Sequence, residues 1–65
     1  MTLKTYIFKG LPILSRDLFT INDKLREPYK IVSIRYDNNL KTLVVDIEAS
    51  DNFHNELSKL GYTSI

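Results

Sequence analysis

With 65 residues, the chain has room for one domain, which we expect to span residues 1–65. It contains no cysteine, which excludes disulfides and thiolate metal sites, and its hydrophobic fraction of 43% is typical of a globular domain rather than a disordered segment. Nine basic and eight acidic residues nearly balance, which argues against a strongly electrostatic partner such as bulk nucleic acid or an anionic membrane.

The first part of the chain predicts a strand followed by a helix. β-Branched and aromatic residues indicate a strand from Leu3 to Lys9, which Gly10 and Pro12 end. Ser15 is the expected N-cap of the helix, and Pro28 stops it. Apolar residues at spacings of four, three and four predict its buried face, namely Leu14, Leu18, Ile21 and Leu25.

The middle of the chain predicts a hairpin. Tyr29 to Tyr36 and Lys41 to Glu48 are dense in β-branched residues, so each is expected to form a strand. Between them lies Asp37-Asn38-Asn39, whose side chains bond their own backbone and tolerate left-handed angles. The two strands are therefore expected to pair in antiparallel fashion through this turn.

The last part predicts a second helix and a final strand. Ser50 is the expected N-cap, and Gly61 lies where a left-handed C-cap belongs. Tyr62 to Ile65 is long enough for a short strand. The apolar face of the helix is predicted to consist of Phe53, Leu57 and Leu60.

The predicted order of elements is β-α-β-β-α-β, which is the ferredoxin-like arrangement. Right-handed crossovers place both helices on one face of the sheet. We therefore expect an α+β sandwich with a four-stranded antiparallel sheet and two helices on one of its faces.

Four stretches together resemble the heavy-metal-associated domain, the fold of small copper chaperones. Tyr6 to Leu11 is similar to the family's first strand and its Gly-Met ending, with Leu11 at the methionine position. Val32 to Asp37 and Leu43 to Ile47 are similar to its second and third strands, and Lys59 to Tyr62 to its closing Leu-Gly-Tyr. The resemblance spans nearly the whole chain and implies the same ferredoxin-like fold.

The resemblance does not extend to the metal-binding cysteines of that family. Their positions fall on Ile13 and Arg16, and neither side chain can ligate soft Cu(I). We therefore expect no metal and no cofactor at this loop. It is either a plain connection in which Leu11 and Leu14 plug the core, or an exposed tip at Pro12 and Ile13 that contacts a partner with Arg16 beside it.

Other catalytic or metal-binding patterns are weak. His54 is the lone histidine, and with Asp51 or the N-terminus it offers an incomplete ligand set; metal handling by such non-cysteine ligands is an alternative function. The chain has no nucleophile motif and no glycine-rich phosphate loop. We therefore predict that the protein is not an enzyme.

The face of the sheet away from the helices is predicted to carry an apolar row. If Phe8 points inward, Ile7, Ile31 and Val44 point outward on three neighbouring strands. This row has the anatomy of a modest protein interface, although β-branched residues also simply favour strands. Charged residues border it, namely Lys9, Arg35, Asp46 and Glu48. On the same alignment five further residues point inward with Phe8, namely Val32, Ile34, Leu43, Val45 and Ile47.

RNA-binding modules with this order of elements stack bases on aromatic residues of the outer sheet face. Here Ile7 and Val44 occupy such positions, which disfavours nucleic acid. A register shifted by one residue would instead expose Tyr6 and Phe8, so single-stranded nucleic-acid binding through the sheet face is a further alternative. The chain also lacks a signal-peptide pattern and a membrane-span pattern, so we expect a soluble, cytoplasmic protein. The leading hypothesis is a small interaction module that binds a protein partner or forms a homodimer through the sheet face or the Pro12–Ile13 loop.

Overall fold

The computed structural model describes all 65 residues and contains three strands and two helices. In the three-stranded sheet, β3 lies between β1 and β2 and pairs with both in antiparallel fashion. Neither helix is long and apolar enough to cross a membrane. In chain order the elements are β1 (Thr2–Phe8), α1 (Leu11–Leu25), β2 (Tyr29–Asp37), β3 (Thr42–Ala49) and α2 (Asp51–Lys59).

The predicted fourth strand is wrong, and with it the four-stranded ferredoxin-like sheet. Residues 62–65 form no strand, and the Ile65 N–H donates a single hydrogen bond to the Thr5 carbonyl at 2.8 Å. Side chains hold this segment instead, because the Tyr62 ring packs on Phe8 at 4.5 Å between centroids and its hydroxyl donates to Asp17. The fold is therefore a small α+β domain in which β1 is an edge strand.

Helix α1 begins earlier than predicted, at Leu11 rather than after Ser15. The Leu14 N–H donates to the Gly10 carbonyl at 3.0 Å, which closes the first turn. Pro12 fits there because N–H groups in the first turn of a helix have no acceptor within the helix, so proline loses no hydrogen bond by lacking one. The predicted loop from Gly10 to Ile13 is therefore the helix start.

The predicted boundaries of α2 are confirmed at both ends. The Ser50 hydroxyl accepts a hydrogen bond from the Phe53 N–H at 3.2 Å and donates one to Glu27 at 2.7 Å. Gly61 adopts φ 101°, a left-handed angle that side chains disfavour. An ion pair of 2.8 Å between Lys24 and Glu56 joins the two helices.

The core forms between both helices and one face of the sheet. Tyr6 and Phe8 point into it, as the register predicts. Val32 and Ile34 were expected there as well, but they are 49% and 44% exposed. Ten residues form the buried cluster, namely Tyr6, Phe8, Leu14, Leu18, Ile21, Val45, Ile47, Ala49, Phe53 and Leu57.

Ile34 does lie on the predicted inner face, opposite the buried Val45, but no helix covers it, whereas a β-bulge in β2 explains the position of Val32. Ile31 pairs with Ile47 and Ser33 pairs with Asp46, which are neighbours on β3. Val32 is therefore an extra residue without a partner on β3. Because directly paired residues share a face, Ile31 lies on the helix side with the buried Ile47. Because of the bulge, each β2 residue before Val32 points to the face opposite to the one that regular alternation from the later residues would give.

The predicted outer row of Ile7, Ile31 and Val44 is therefore wrong in one member. Ile7 and Val44 are direct partners across β1 and β3. On β2 the residue opposite Val44 is Arg35, whereas Ile31 lies on the other face. The outer face thus carries an apolar pair beside an arginine, not three apolar residues in line.

Replacing Ser50 with alanine tests the N-cap of α2. Ser50→Ala removes the acceptor for the Phe53 N–H, and we expect a loss of about 1 kcal/mol in the free energy of unfolding. Ser58→Ala is the matched control, because Ser58 is exposed on the same helix; we expect a change within about 0.5 kcal/mol. Urea denaturation followed by circular dichroism measures both, and equal losses would contradict the capping role.

The burial of Tyr62 and its hydrogen bond to Asp17 predict a loss of stability at alkaline pH. Burial, followed by the hydrogen bond to Asp17, raises the pKa of Tyr62 from 10.0 to about 12. The folded state thus favours the neutral phenol, so its stabilisation is complete below pH 10 and disappears as the pH rises towards 12. In urea denaturation at several pH values, the difference in unfolding free energy between the wild type and Tyr62→Phe should shrink from pH 10 to pH 12. A constant difference would contradict a stabilising role of the Tyr62 hydroxyl.

Candidate functional site

A groove of about 650 Å³ separates α1 from β2 and is the largest concave feature of the surface. Leu14 and Leu18 are buried at its base, whereas Leu11 and Phe19 are 58% and 70% exposed. Its apolar lining is contributed by both elements, with Leu11, Leu14, Leu18 and Phe19 on α1, and Ile31 and Ile34 on β2. We refer to it as the α1–β2 groove.

The bulge creates the apolar wall of this groove. Ile31 lies opposite Ile47 and Ile34 lies opposite Val45, so both β2 side chains share the face of buried β3 residues. In a regular strand, residues three apart would point to opposite faces. Because α1 lies closest to α2 and β1, it leaves Ile31 and Ile34 uncovered, with 36% and 44% of their surface exposed.

The exposed apolar surface extends beyond the groove. Tyr36 follows Ile34 on the same face of β2 and is 57% exposed, and the bulged Val32 is 49% exposed. From these fractions, the exposed apolar area is on the order of 500 Å², which is in the range of functional patches on monomeric proteins. The α1–β2 patch comprises Leu11, Phe19, Ile31, Ile34 and Tyr36.

The residues predicted at the start of α1 separate in the structure. Pro12 is exposed, but Ile13 packs partly buried against the core, so it does not form an exposed tip. The Arg16 side chain is 71% exposed and lines the α1–β2 groove. Its Nε donates to Asp17 Oδ1 at 3.2 Å, which leaves the terminal nitrogens facing solvent or a partner.

Asp46 makes the centre of the outer sheet face polar. The Ser33 and Thr5 hydroxyls each donate to its carboxylate at 2.5 Å, and the Arg35 guanidinium lies 3.7 Å away. These hydrogen bonds, first that of Ser33 and then that of Thr5, hold the pKa of Asp46 below its ordinary value. The predicted contact residues Ile7, Val44 and Arg35 therefore surround a carboxylate that is hydrogen-bonded within the protein, and the α1–β2 groove lies on the opposite face of the sheet.

His54 is buried and joins α2 to β1. Its Nε2 lies 2.7 Å from the Thr2 carbonyl, which can only accept, so Nε2 carries the proton and Nδ1 accepts from the Tyr6 hydroxyl at 2.8 Å. Asp51, the partner considered for a metal, accepts a hydrogen bond from the Thr2 hydroxyl at 3.0 Å. Both ring nitrogens are thus engaged, and no three potential metal ligands lie together in the structure.

Sequence reasoning missed Phe19, which lies on the rim of the α1–β2 groove. A signal for it exists, because Phe19 is a large apolar residue of α1 outside the buried stripe of Leu14, Leu18 and Ile21. Alternation predicted the face of Ile34 but not its exposure, because that exposure depends on where α1 packs and on the position of β2 at the sheet edge.

Comparisons of the chain with protein-family models, with curated proteins and with solved structures find no match. The resemblance to the heavy-metal-associated domain stays a prediction.

The Asp46 cluster predicts a measurable coupling across the outer sheet face. Because the Ser33 hydrogen bond is the main cause of the lowered pKa, Ser33→Ala should raise the Asp46 pKa towards its ordinary 3.8. Thr5→Ala should act in the same direction with a smaller effect. Carboxyl-detected NMR titration measures the shift, and an unchanged Asp46 midpoint in Ser33→Ala would show that the hydroxyl does not stabilise the carboxylate.

Proposed function

We propose that this chain is a non-enzymatic protein-interaction module that binds a protein through the α1–β2 patch. The supporting observation is the groove of about 650 Å³ with its uncovered apolar wall on β2. A cytoplasmic location and the lack of a cofactor are parts of this proposal that follow from the sequence expectations.

The patch has the composition of a binding surface. Phe19 and Tyr36 are 70% and 57% exposed, and aromatic side chains are enriched among residues that dominate binding energy. Arg16 lies beside the apolar lining, which matches the polar rim and apolar centre of protein interfaces. A protein partner would remove this apolar area from water, which is the main driving force of association.

The outer sheet face is the weaker candidate. Ile7 is 37% exposed and Val44 is partly covered, and both lie beside the hydrogen-bonded Asp46. Covering Asp46 would remove water from a charged carboxylate that is still 22% exposed, which costs free energy unless the partner supplies a polar contact. Of the residues predicted at the start of α1, Arg16 lines the α1–β2 groove and belongs to the proposed site, whereas Pro12 and Ile13 do not line it.

Site-specific photo-crosslinking in the cells that make the protein tests this proposal. Thr20 lines the groove and is exposed, so a photo-crosslinking amino acid at this position should capture a protein, to be identified by mass spectrometry. The same amino acid at Ile7 is the matched arm for the outer sheet face, and we expect no product from it.

Ile34→Lys in the Thr20 crosslinking variant should remove the product, because it places a charge in the apolar wall. Ile34 is 44% exposed, so the fold should tolerate the lysine, which circular dichroism checks. A product at Ile7 alone would move the binding site to the outer face. No product at either position would overturn the proposed function.

A further inference from the structure

We infer that the protein bound by the α1–β2 patch is a second copy of this chain, in a two-fold dimer with antiparallel α1 helices. The inference rests on the proposed function and specifies its partner. Three features of the patch support it, namely its shape, the order of charges along α1 and its area.

The patch is complementary to itself in shape. It contains a groove next to a side chain that projects from it, since Phe19 is 70% exposed on the groove rim. A two-fold dimer uses the same surface on both copies, so each copy must supply both a projection and a recess. With α1 antiparallel to its copy, each Phe19 enters the other groove and covers Ile31 and Ile34.

The charges along α1 match in the same arrangement. Arg16 lies three and four residues before Phe19 and Thr20, Asp23 lies four and three residues after them, and all four are exposed. A two-fold axis between Phe19 and Thr20 places Arg16 of each copy opposite Asp23 of the other. Parallel helices would instead bring like charges together, so the charge order favours the antiparallel dimer.

The exposed apolar area is sufficient for a stable dimer. It is on the order of 500 Å² per copy, and an interface with a polar rim of ordinary proportion would bury roughly 800 Å² per copy, which is the standard size. The bulge at Val32 disrupts the edge of β2 for regular strand pairing. Association is therefore expected through the side chains of α1 and β2, not through a continuous sheet.

A charge-exchange experiment tests the dimer directly. Sedimentation equilibrium over a concentration series should show the wild type approaching twice the 7.6 kDa of one copy. Asp23→Arg and Arg16→Glu should each weaken self-association about tenfold, because each opposes like charges at two symmetric positions. An equimolar mixture should regain wild-type affinity within about threefold, because only the mixed dimer pairs opposite charges at both positions.

Two further variants, one in the apolar contact and one outside it, test the role of that contact. Phe19→Ser should raise the dissociation constant at least about tenfold, and Ile7→Lys on the outer sheet face should leave it within about twofold. Both residues are solvent-exposed, so neither substitution disturbs the buried cluster.

The outcomes separate the dimer from the proposed function. A wild type that stays monomeric, or a dimer unaffected by Phe19→Ser and by the charge variants, would overturn the inference. If Thr20 crosslinking then captures a different protein, the interaction module stands with another partner. If it captures nothing, the proposed function fails as well. Restored association in the mixture of charge variants would establish the antiparallel dimer.

Discussion

The single extra residue of β2 determines which surface of this protein is apolar. Because Val32 interrupts the pairing with β3, Ile31 and Ile34 lie on the same side of the sheet, opposite Ile47 and Val45. Without the bulge, one of them would join the outer face and the wall of the α1–β2 groove would be broken. The groove, the patch and the proposed binding surface all depend on this local shift of phase.

Buried polar contacts supplement a core of only ten apolar residues. The chain from the Thr2 carbonyl through His54 to the Tyr6 hydroxyl connects β1 with α2, and the hydrogen bond from Tyr62 to Asp17 fastens the C-terminal residues to α1. Buried polar groups stabilise a fold only when their hydrogen bonds are made, and these are made. Histidine and tyrosine here act as structural ties between elements that are distant in the sequence.

The two faces of the sheet differ in chemistry, and this difference guides the functional proposal. The outer face presents Asp46 with its hydroxyl partners, a charged cluster whose hydrogen bonds are made within the protein. The helix face presents Phe19, Ile34 and Tyr36 to solvent without any element above them. Binding energy is gained where apolar area is removed from water without breaking polar contacts, so the helix side of β2 is the better interface. In the antiparallel dimer that we propose, α1 of the second copy would cover this side.

Local rules in the sequence determined the five elements that exist. Helical spacing predicted Leu14, Leu18 and Ile21 as buried, the Ser50 cap and Gly61 bounded α2, and alternation placed Tyr6 and Phe8 inward. These features depend on residues within a few positions of one another, so the sequence alone suffices to predict them. The start of α1 was missed because Ser15 looked like a better cap than Gly10, although Pro12 suits a first turn.

Only the tertiary structure decided the register of β2, the conformation of residues 62–65 and the location of the apolar patch. The bulge exists through pairing with β3, so alternation along β2 alone could not place Ile31. Tyr62 is held by Phe8 and Asp17, more than forty positions away along the chain, and these contacts replace the strand ladder that the segment was expected to form. Strand pairing and side-chain docking between distant segments are collective outcomes of packing, which no local pattern encodes.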